Sequence, residues 1–282
     1  MAVCGVCFRH CDIAEGRLGL CGARIARGGS VEAYNYGRIT SLALDPVEKK
    51  PLARFFPGSM ILSAGSFGCN LRCPFCQNHG ISRPERAAGY AETAETAGPE
   101  ALAELALKLK PEGNIGLAFT YNEPLVGYEY VRDTARIVKE KGLKNVLVTN
   151  GTAELAVLEE IRPYIDAMNV DLKGFTDRYY EKVLGGDRKQ VMAFIESAAE
   201  NCHVELTTLI VPGENDGEEE MRELSRWVSR LKEPDGEGVP LHVTRFFPRF
   251  RMRDRQATDV RTVYLLAEVA RENLEYVYTG NC

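Results

Sequence analysis

From residue 60 onward the chain alternates short apolar runs with longer amphipathic stretches. That rhythm restricts the fold more than any other feature. The runs at about 60–65, 115–120, 144–149, 166–171, 204–210 and 241–246 are short and apolar, as parallel strands buried on both faces must be. The stretches at about 98–110, 125–141, 153–161, 188–201, 216–232 and 258–273 carry apolar residues three and four apart, such as Leu102, Leu105, Ala106 and Leu109. Strand and helix in alternation predict parallel βα units, hence an α/β fold. Six such units make an open, partial barrel, with the short run Tyr276-Val277-Tyr278 packed against it.

Barrels of parallel strands bind their ligands at the C-terminal ends of the strands. The polar clusters obey that rule. Cys69-Asn70-Leu71-Arg72-Cys73-Pro74-Phe75-Cys76 follows the first run, and Tyr121-Asn122-Glu123-Pro124 the second. Thr149-Asn150-Gly151 follows the third, and Asp171-Leu172-Lys173 ends the fourth. Val211-Pro212-Gly213 follows the fifth, and Arg245 begins the segment after the sixth, with His242 and Arg249 close by. Arg251, Arg253 and Arg255 read as a solvated basic face.

Ahead of the barrel, residues 1–58 form a separate segment, with residues 59–282 as the barrel. The first 28 residues contain Cys4-x2-Cys7-x3-Cys11-x9-Cys21. A stretch this short has no core of its own, and a tetrahedral four-cysteine site would supply the missing folding energy. Zinc is the first choice of metal there, with a rubredoxin-like iron or a second iron–sulfur cluster as the alternative. Residues 30–36 and 39–44 alternate and read as a strand pair.

Of nine cysteines, seven lie in the first 76 residues in two close clusters, a pattern of metal ligands rather than disulfides. Cys69, Cys73 and Cys76 stand at C-x3-C-x2-C spacing, which puts three thiolates around one centre. No fourth cysteine lies nearby, so an iron–sulfur cluster held there would keep one iron open, as catalytic metal sites do. The alternative for the same three cysteines is a zinc site completed by His79. The alternative for Glu123 is a helix-start acceptor beside Pro124. Asp171 and Lys173 point the same way along a strand and would equally form a buried ion pair.

C-x3-C-x2-C with an aromatic before the last cysteine resembles the signature of the radical S-adenosylmethionine (SAM) enzymes. The resemblance implies a (βα)6 partial barrel and a [4Fe–4S] cluster on Cys69, Cys73 and Cys76. It also implies SAM chelating the open iron, and cleavage to a 5′-deoxyadenosyl radical after one electron arrives from an external donor. Tyr121-Asn122-Glu123-Pro124 resembles a segment usually written Gly-Gly-Glu-Pro, which implies that Glu123 binds the SAM ammonium. The resemblance also implies SAM contacts at Asn150, Lys173 and Val211, a monovalent cation held by Asp171 near the SAM carboxylate, and Phe75 and Asn78 at the adenine.

Cys4, Cys7 and Cys11 ahead of Asp45-Pro46-Val47-Glu48-Lys49-Lys50-Pro51-Leu52 look like one subgroup. This is the pyruvate formate-lyase activating-enzyme-like member of the AmmeMemoRadiSam system, for which Memo-like and AMMECR-like partners are implied. The substrate is then a hydrogen donor of unknown identity: a glycine of a partner enzyme, a small molecule or an RNA.

The bulk numbers exclude some classes. A net charge of −5 over 282 residues leaves no nucleic-acid footprint. No apolar run has the length of a membrane span, and the chain starts Met-Ala-Val-Cys without a signal-peptide pattern, which predicts a cytoplasmic protein. Two non-catalytic readings remain, an iron–sulfur electron carrier and a zinc scaffold.

Overall fold

The computed structural model describes residues 1–83, 85 and 87–282. Eight strands form the main sheet: β1 (Ser41–Pro46), β2 (Met60–Gly65), β3 (Asn114–Phe119), β4 (Lys144–Thr149), β5 (Ala167–Asp171), β6 (His203–Ile210), β7 (Leu241–Arg245) and β8 (Val277–Gly280). They lie side by side in chain order. β1 runs antiparallel to β2, and every later pair is parallel. The crossovers carry α1 (Pro99–Lys108), α2 (Tyr128–Glu140), α3 (Leu155–Ile161), α4 (Arg188–Ala199), α5 (Glu218–Val228) and α6 (Val260–Arg271). Right-handed crossovers that always step in one direction place their helices on one face of the sheet. The other face is then left to enclose a site. The helices start where the chemistry directs: Pro99 opens α1, and Asp187 and Asp259 accept N–H bonds at the starts of α4 and α6.

Two differences from the sequence reading have physical causes. Residues 30–36 do not pair with 39–44. Ser30–Ala33 pairs with Arg24–Arg27 instead, because Gly28 and Gly29 take φ of +58° and +81° and make a two-residue hairpin turn. The second strand of the expected pair becomes β1, whose partner is the open edge of β2. At the other edge, Val277–Gly280 does more than pack against the barrel: it joins as a further parallel strand.

The N-terminal ends of the strands are closed by the segment after β1. Ala53 and Arg54 donate their N–H groups to the Glu205 carboxylate, at 2.9 and 2.8 Å. Glu205 also takes His203 Nε2 at 2.9 Å and His242 Nε2 at 2.6 Å. His242 therefore sits early in β7, at the end of the sheet away from the cysteine loop, and not among mouth residues. Among the described residues no helix is long and apolar enough to cross a membrane.

Candidate active site

The loop after β2 carries Cys69, Cys73 and Cys76. It is held from two sides. On one side, Gly68 takes φ +95°, and a Cβ there would lie 2.6 Å from Ala23 Cβ and 2.8 Å from the Cys21 carbonyl oxygen. Only glycine lets the N-terminal segment approach this closely. On the other side stands Tyr121-Asn122-Glu123. Asn122 accepts from Ser66 N–H at 3.0 Å and donates to the carbonyls of Phe67 and Gly68 at 3.2 and 3.1 Å. Asn78 donates to the Tyr121 carbonyl at 2.7 Å. Tyr121 takes φ +73°, a left-handed conformation that favours glycine, where the resembling segment has one. Its ring is held there by a bond from its hydroxyl to Asp45 at 3.0 Å and by the Lys50 ammonium 5.0 Å from the ring centre.

The three thiols lie within electrostatic reach of one another. Burial pushes Cys73 up to about 11 and Cys69 well above the ordinary thiol range, and mutual repulsion among the three adds to it. Glu123 raises Cys69 further, while Lys173 works the other way on Cys73. The loop after β7 covers the group. Arg251 N–H bonds the Pro74 carbonyl at 2.8 Å. Phe250 stacks on His79 with centroids 4.6 Å apart, and the buried Arg83, which bonds the Cys73 carbonyl, lies 5.0 Å from the same ring. Phe75 is buried edge-on against Phe246.

The ends of β4, β5 and β6 bring the remaining residues level. Glu123 is only 3% exposed and anchors three donors: Leu125 N–H at 3.1 Å, Thr149 Oγ1 at 2.7 Å and Asn150 N–H at 2.7 Å. It is therefore a helix-start acceptor and a tie to β4, with one of its roughly four lone-pair sites left over. Burial pushes its pKa up to about 7, against those three bonds. Lys173 Nζ meets Asp171 at 2.7 Å. Burial works against the Lys173 charge, but Asp171 and Cys73 outweigh it and hold the ammonium well above its usual range. Val211 is buried, and its N–H is taken by Asn215 at 2.7 Å.

Asn150 is more committed than expected. Its Nδ2 donates to Asn70 at 2.9 Å and lies 3.7 Å from Cys69 Sγ, and its Oδ1 takes both the N–H and the hydroxyl of Thr152. Arg245 is turned to the Thr258 carbonyl at 2.7 Å. Arg251 and Arg253 are exposed as read, but Arg255 binds the Pro212 carbonyl and Glu214, so it is not part of a solvated face.

The radical SAM superfamily model matches residues 65–225, more than half of the 282 residues. The chain belongs to the radical SAM superfamily. An uncharacterised protein of Methanocaldococcus jannaschii is 38% identical over 281 residues, 99% of this chain and 80% of that protein. The pyruvate formate-lyase-activating enzyme of Clostridium pasteurianum is 28% identical over 220 residues, 74% of this chain and 89% of that enzyme. A radical SAM methyltransferase from Sphaerobacter thermophilus has the same fold, with a TM-score of 0.60 at 15% identity over 80% of this chain and 67% of the other.

Membership of the radical SAM superfamily implies a [4Fe–4S] cluster and SAM, and the donor set fits. Burial holds Cys69 and Cys73 as thiols, and a cationic centre would take them, with Cys76, as thiolates. Among the described residues no three His, Cys, Asp or Glu side chains are already drawn into ligating geometry. The fit therefore rests on the three-cysteine donor set and its place at the ends of the strands.

Cys4, Cys7, Cys11 and Cys21 also line one enclosed space, together with Arg9 and Asn70. Burial pushes Cys21 up to about 12 and raises Cys7, a shift that the Asn70 side chain works against. Sequence reasoning missed Asn70, Asn122, Thr149, Thr152, Arg9 and Arg83. Asn70, Asn122, Thr149 and Arg9 lie inside quoted motifs, and Thr152 and Arg83 beside or facing them, but only packing shows their partners.

Proposed function

We propose that this radical SAM protein is an enzyme that generates a 5′-deoxyadenosyl radical and abstracts hydrogen from a substrate, as an activating enzyme does. The bound [4Fe–4S] cluster would supply the electron that cleaves SAM. Cys69, Cys73 and Cys76 would hold it. Glu123 offers its remaining lone-pair site to the SAM ammonium, and Lys173 offers a cation to the SAM carboxylate. Asp171 keeps that lysine charged and aimed. Phe75, Asn78 and Val211 shape the adenine end, Phe75 as an apolar wall and Val211 through its turn. Asn150 acts through its backbone tie to Glu123. The loop after β7 covers the cysteines and excludes water from them.

The observation that carries this reading is the shared end of the sheet. Three thiols, a buried carboxylate and a partly buried ammonium lie where β2 to β5 finish, inside a chain of this superfamily. Resemblance to the Clostridium pasteurianum enzyme supports an activating-type reaction on a protein glycine. The Cys4/Cys7/Cys11 pattern and the 45–52 segment support membership of the AmmeMemoRadiSam system, with Memo-like and AMMECR-like partners, zinc on the four N-terminal cysteines and a cytoplasmic setting. Separation of the N-terminal 58 residues as their own unit belongs to the same reading.

The test is anaerobic reconstitution and dithionite reduction, followed by electron paramagnetic resonance with and without SAM and by chromatography for 5′-deoxyadenosine. A cluster signal altered by SAM, with 5′-deoxyadenosine formed, is expected. A cluster blind to SAM would make the chain an electron carrier.

A further inference from the structure

We propose that Asn70 and Asn150 form an amide bridge between the two cysteine sets, so that loading of the N-terminal site sets the reduction potential of the cluster on Cys69, Cys73 and Cys76. The inference rests on the reading above that each set takes a metal centre.

The bridge runs from the four-cysteine space to Cys69. Asn70 lines that space together with Cys7, and while burial raises the Cys7 thiol, the Asn70 side chain works against it. Its Oδ1 accepts from Asn150 Nδ2 at 2.9 Å, and the same Nδ2 faces Cys69 Sγ at 3.7 Å. One hydroxyl fixes both amides: Thr152 Oγ1 accepts from Asn70 Nδ2 at 2.7 Å and donates to Asn150 Oδ1 at 2.6 Å. Neither amide can flip without losing a buried bond. The backbone repeats the connection, since Cys69 N–H donates to the Cys21 carbonyl at 3.1 Å. Arg9 Nε donates to the Asn70 carbonyl at 2.7 Å, within electrostatic reach of Cys7, Cys11 and Cys69 together.

Two consequences have opposite signs. Hydrogen bonds to cluster sulfurs stabilise the reduced, more negative form and raise its potential. Chains of amides polarise one another, so a thiolate at Cys7 is felt at Cys69. Four thiolates around a divalent ion leave a net negative charge beside the cluster, and that charge disfavours an added electron. Losing the bridge therefore lowers the potential, and losing the N-terminal metal raises it. A bridge that only braces the loops would move neither.

The experiment compares wild type, Asn70→Ala and the double variant Cys4→Ser/Cys7→Ser after anaerobic reconstitution. Iron and zinc per chain are measured, and the cluster is titrated by potentiometry with paramagnetic resonance, without SAM. Asn70→Ala should keep both metals, yet at the wild-type midpoint its reduced-to-oxidised ratio should fall about tenfold, about 59 mV for a one-electron couple. The double variant should lose zinc and shift the ratio the opposite way. Should Asn70→Ala lose its cluster, Thr152→Val removes the shared hydroxyl and is expected to shift the midpoint downward as well. A wild-type midpoint in the bridge variants, or in the cysteine variant once it has lost its zinc, overturns the inference. Wild type with iron on the triad and no metal on the four cysteines overturns it too. Wild type without iron on the triad instead removes the reading under which the chain is a radical enzyme.

Discussion

Substituting Glu123→Gln tests the electrostatics at the centre of the site. The carboxyl is 3% exposed, and burial pushes its pKa up to about 7 although three hydrogen bonds pull it down. In the unfolded chain it returns to the ordinary value of 4.5. The folded chain thus binds this proton more tightly than the unfolded chain. Its stabilising contribution is full below about pH 4.5 and is lost as pH rises through about 7. At about 1.4 kcal/mol per pKa unit, the loss from about pH 6 to about pH 8.5 is roughly 1.5 kcal/mol. Glutamine keeps an oxygen for Leu125 and Thr149 but turns an N–H toward the Asn150 N–H, a cost of about 1–2 kcal/mol at every pH. Urea unfolding of the reduced, metal-free chain should therefore show wild type losing its advantage over Glu123→Gln as pH rises. Parallel pH profiles for the two proteins would refute the reasoning. Under the proposed function the SAM ammonium sits on the charged carboxylate, so SAM affinity of the reconstituted wild type should weaken on acidification below about pH 7.

Cys73→Ser should leave a folded chain, by circular dichroism, that holds no [4Fe–4S] absorption after reconstitution. Lys173→Met should leave Asp171 without its partner and weaken SAM about tenfold, the equivalent of one charge-assisted bond of about 1.4 kcal/mol, by calorimetry on the reconstituted protein. Burial works against a charge on His203, but Glu205 and Glu233 outweigh it and raise its pKa to about 9. The contribution of that imidazolium is therefore full below about 6.5 and lost as pH rises through about 9, and Glu205→Gln should move the His203 titration, followed by NMR, back toward 6.5. Tyr121→Phe should cost about 1 kcal/mol in urea unfolding, since it removes only the bond to Asp45.

What could be read in the sequence was set by local rules, and what could not was set by distant partners. The six parallel runs and six helices follow from apolar spacing alone, and each observed boundary lies within a few residues of the spacing. The site's end of the sheet followed as well, because the loops after parallel strands all open at one end. Residues 39–44 also had the right period, yet period does not choose a partner. Two glycines captured Ser30–Ala33 for a hairpin, and the open edge of β2 took the rest. His242 was misplaced for a related reason: its neighbourhood in sequence is the mouth, but its early position in β7 sends it to Glu205 at the opposite end.

Asn150 shows the deeper limit. Its motif marks it as polar and loop-borne, which suits a ligand contact. The structure fills both of its oxygen lone pairs from Thr152 and turns its donors to Asn70 and Cys69. A side chain whose bonds are all internal acts on a ligand through what it positions. Asn70, one residue from Cys69 and invisible to the spacing, is where that positioning reaches the second cysteine set. The chemistry at this end of the sheet is thus built from conspicuous thiols held by inconspicuous amides, and those amides join the backbone bond from Cys69 to Cys21 in tying the N-terminal segment to the loop it covers.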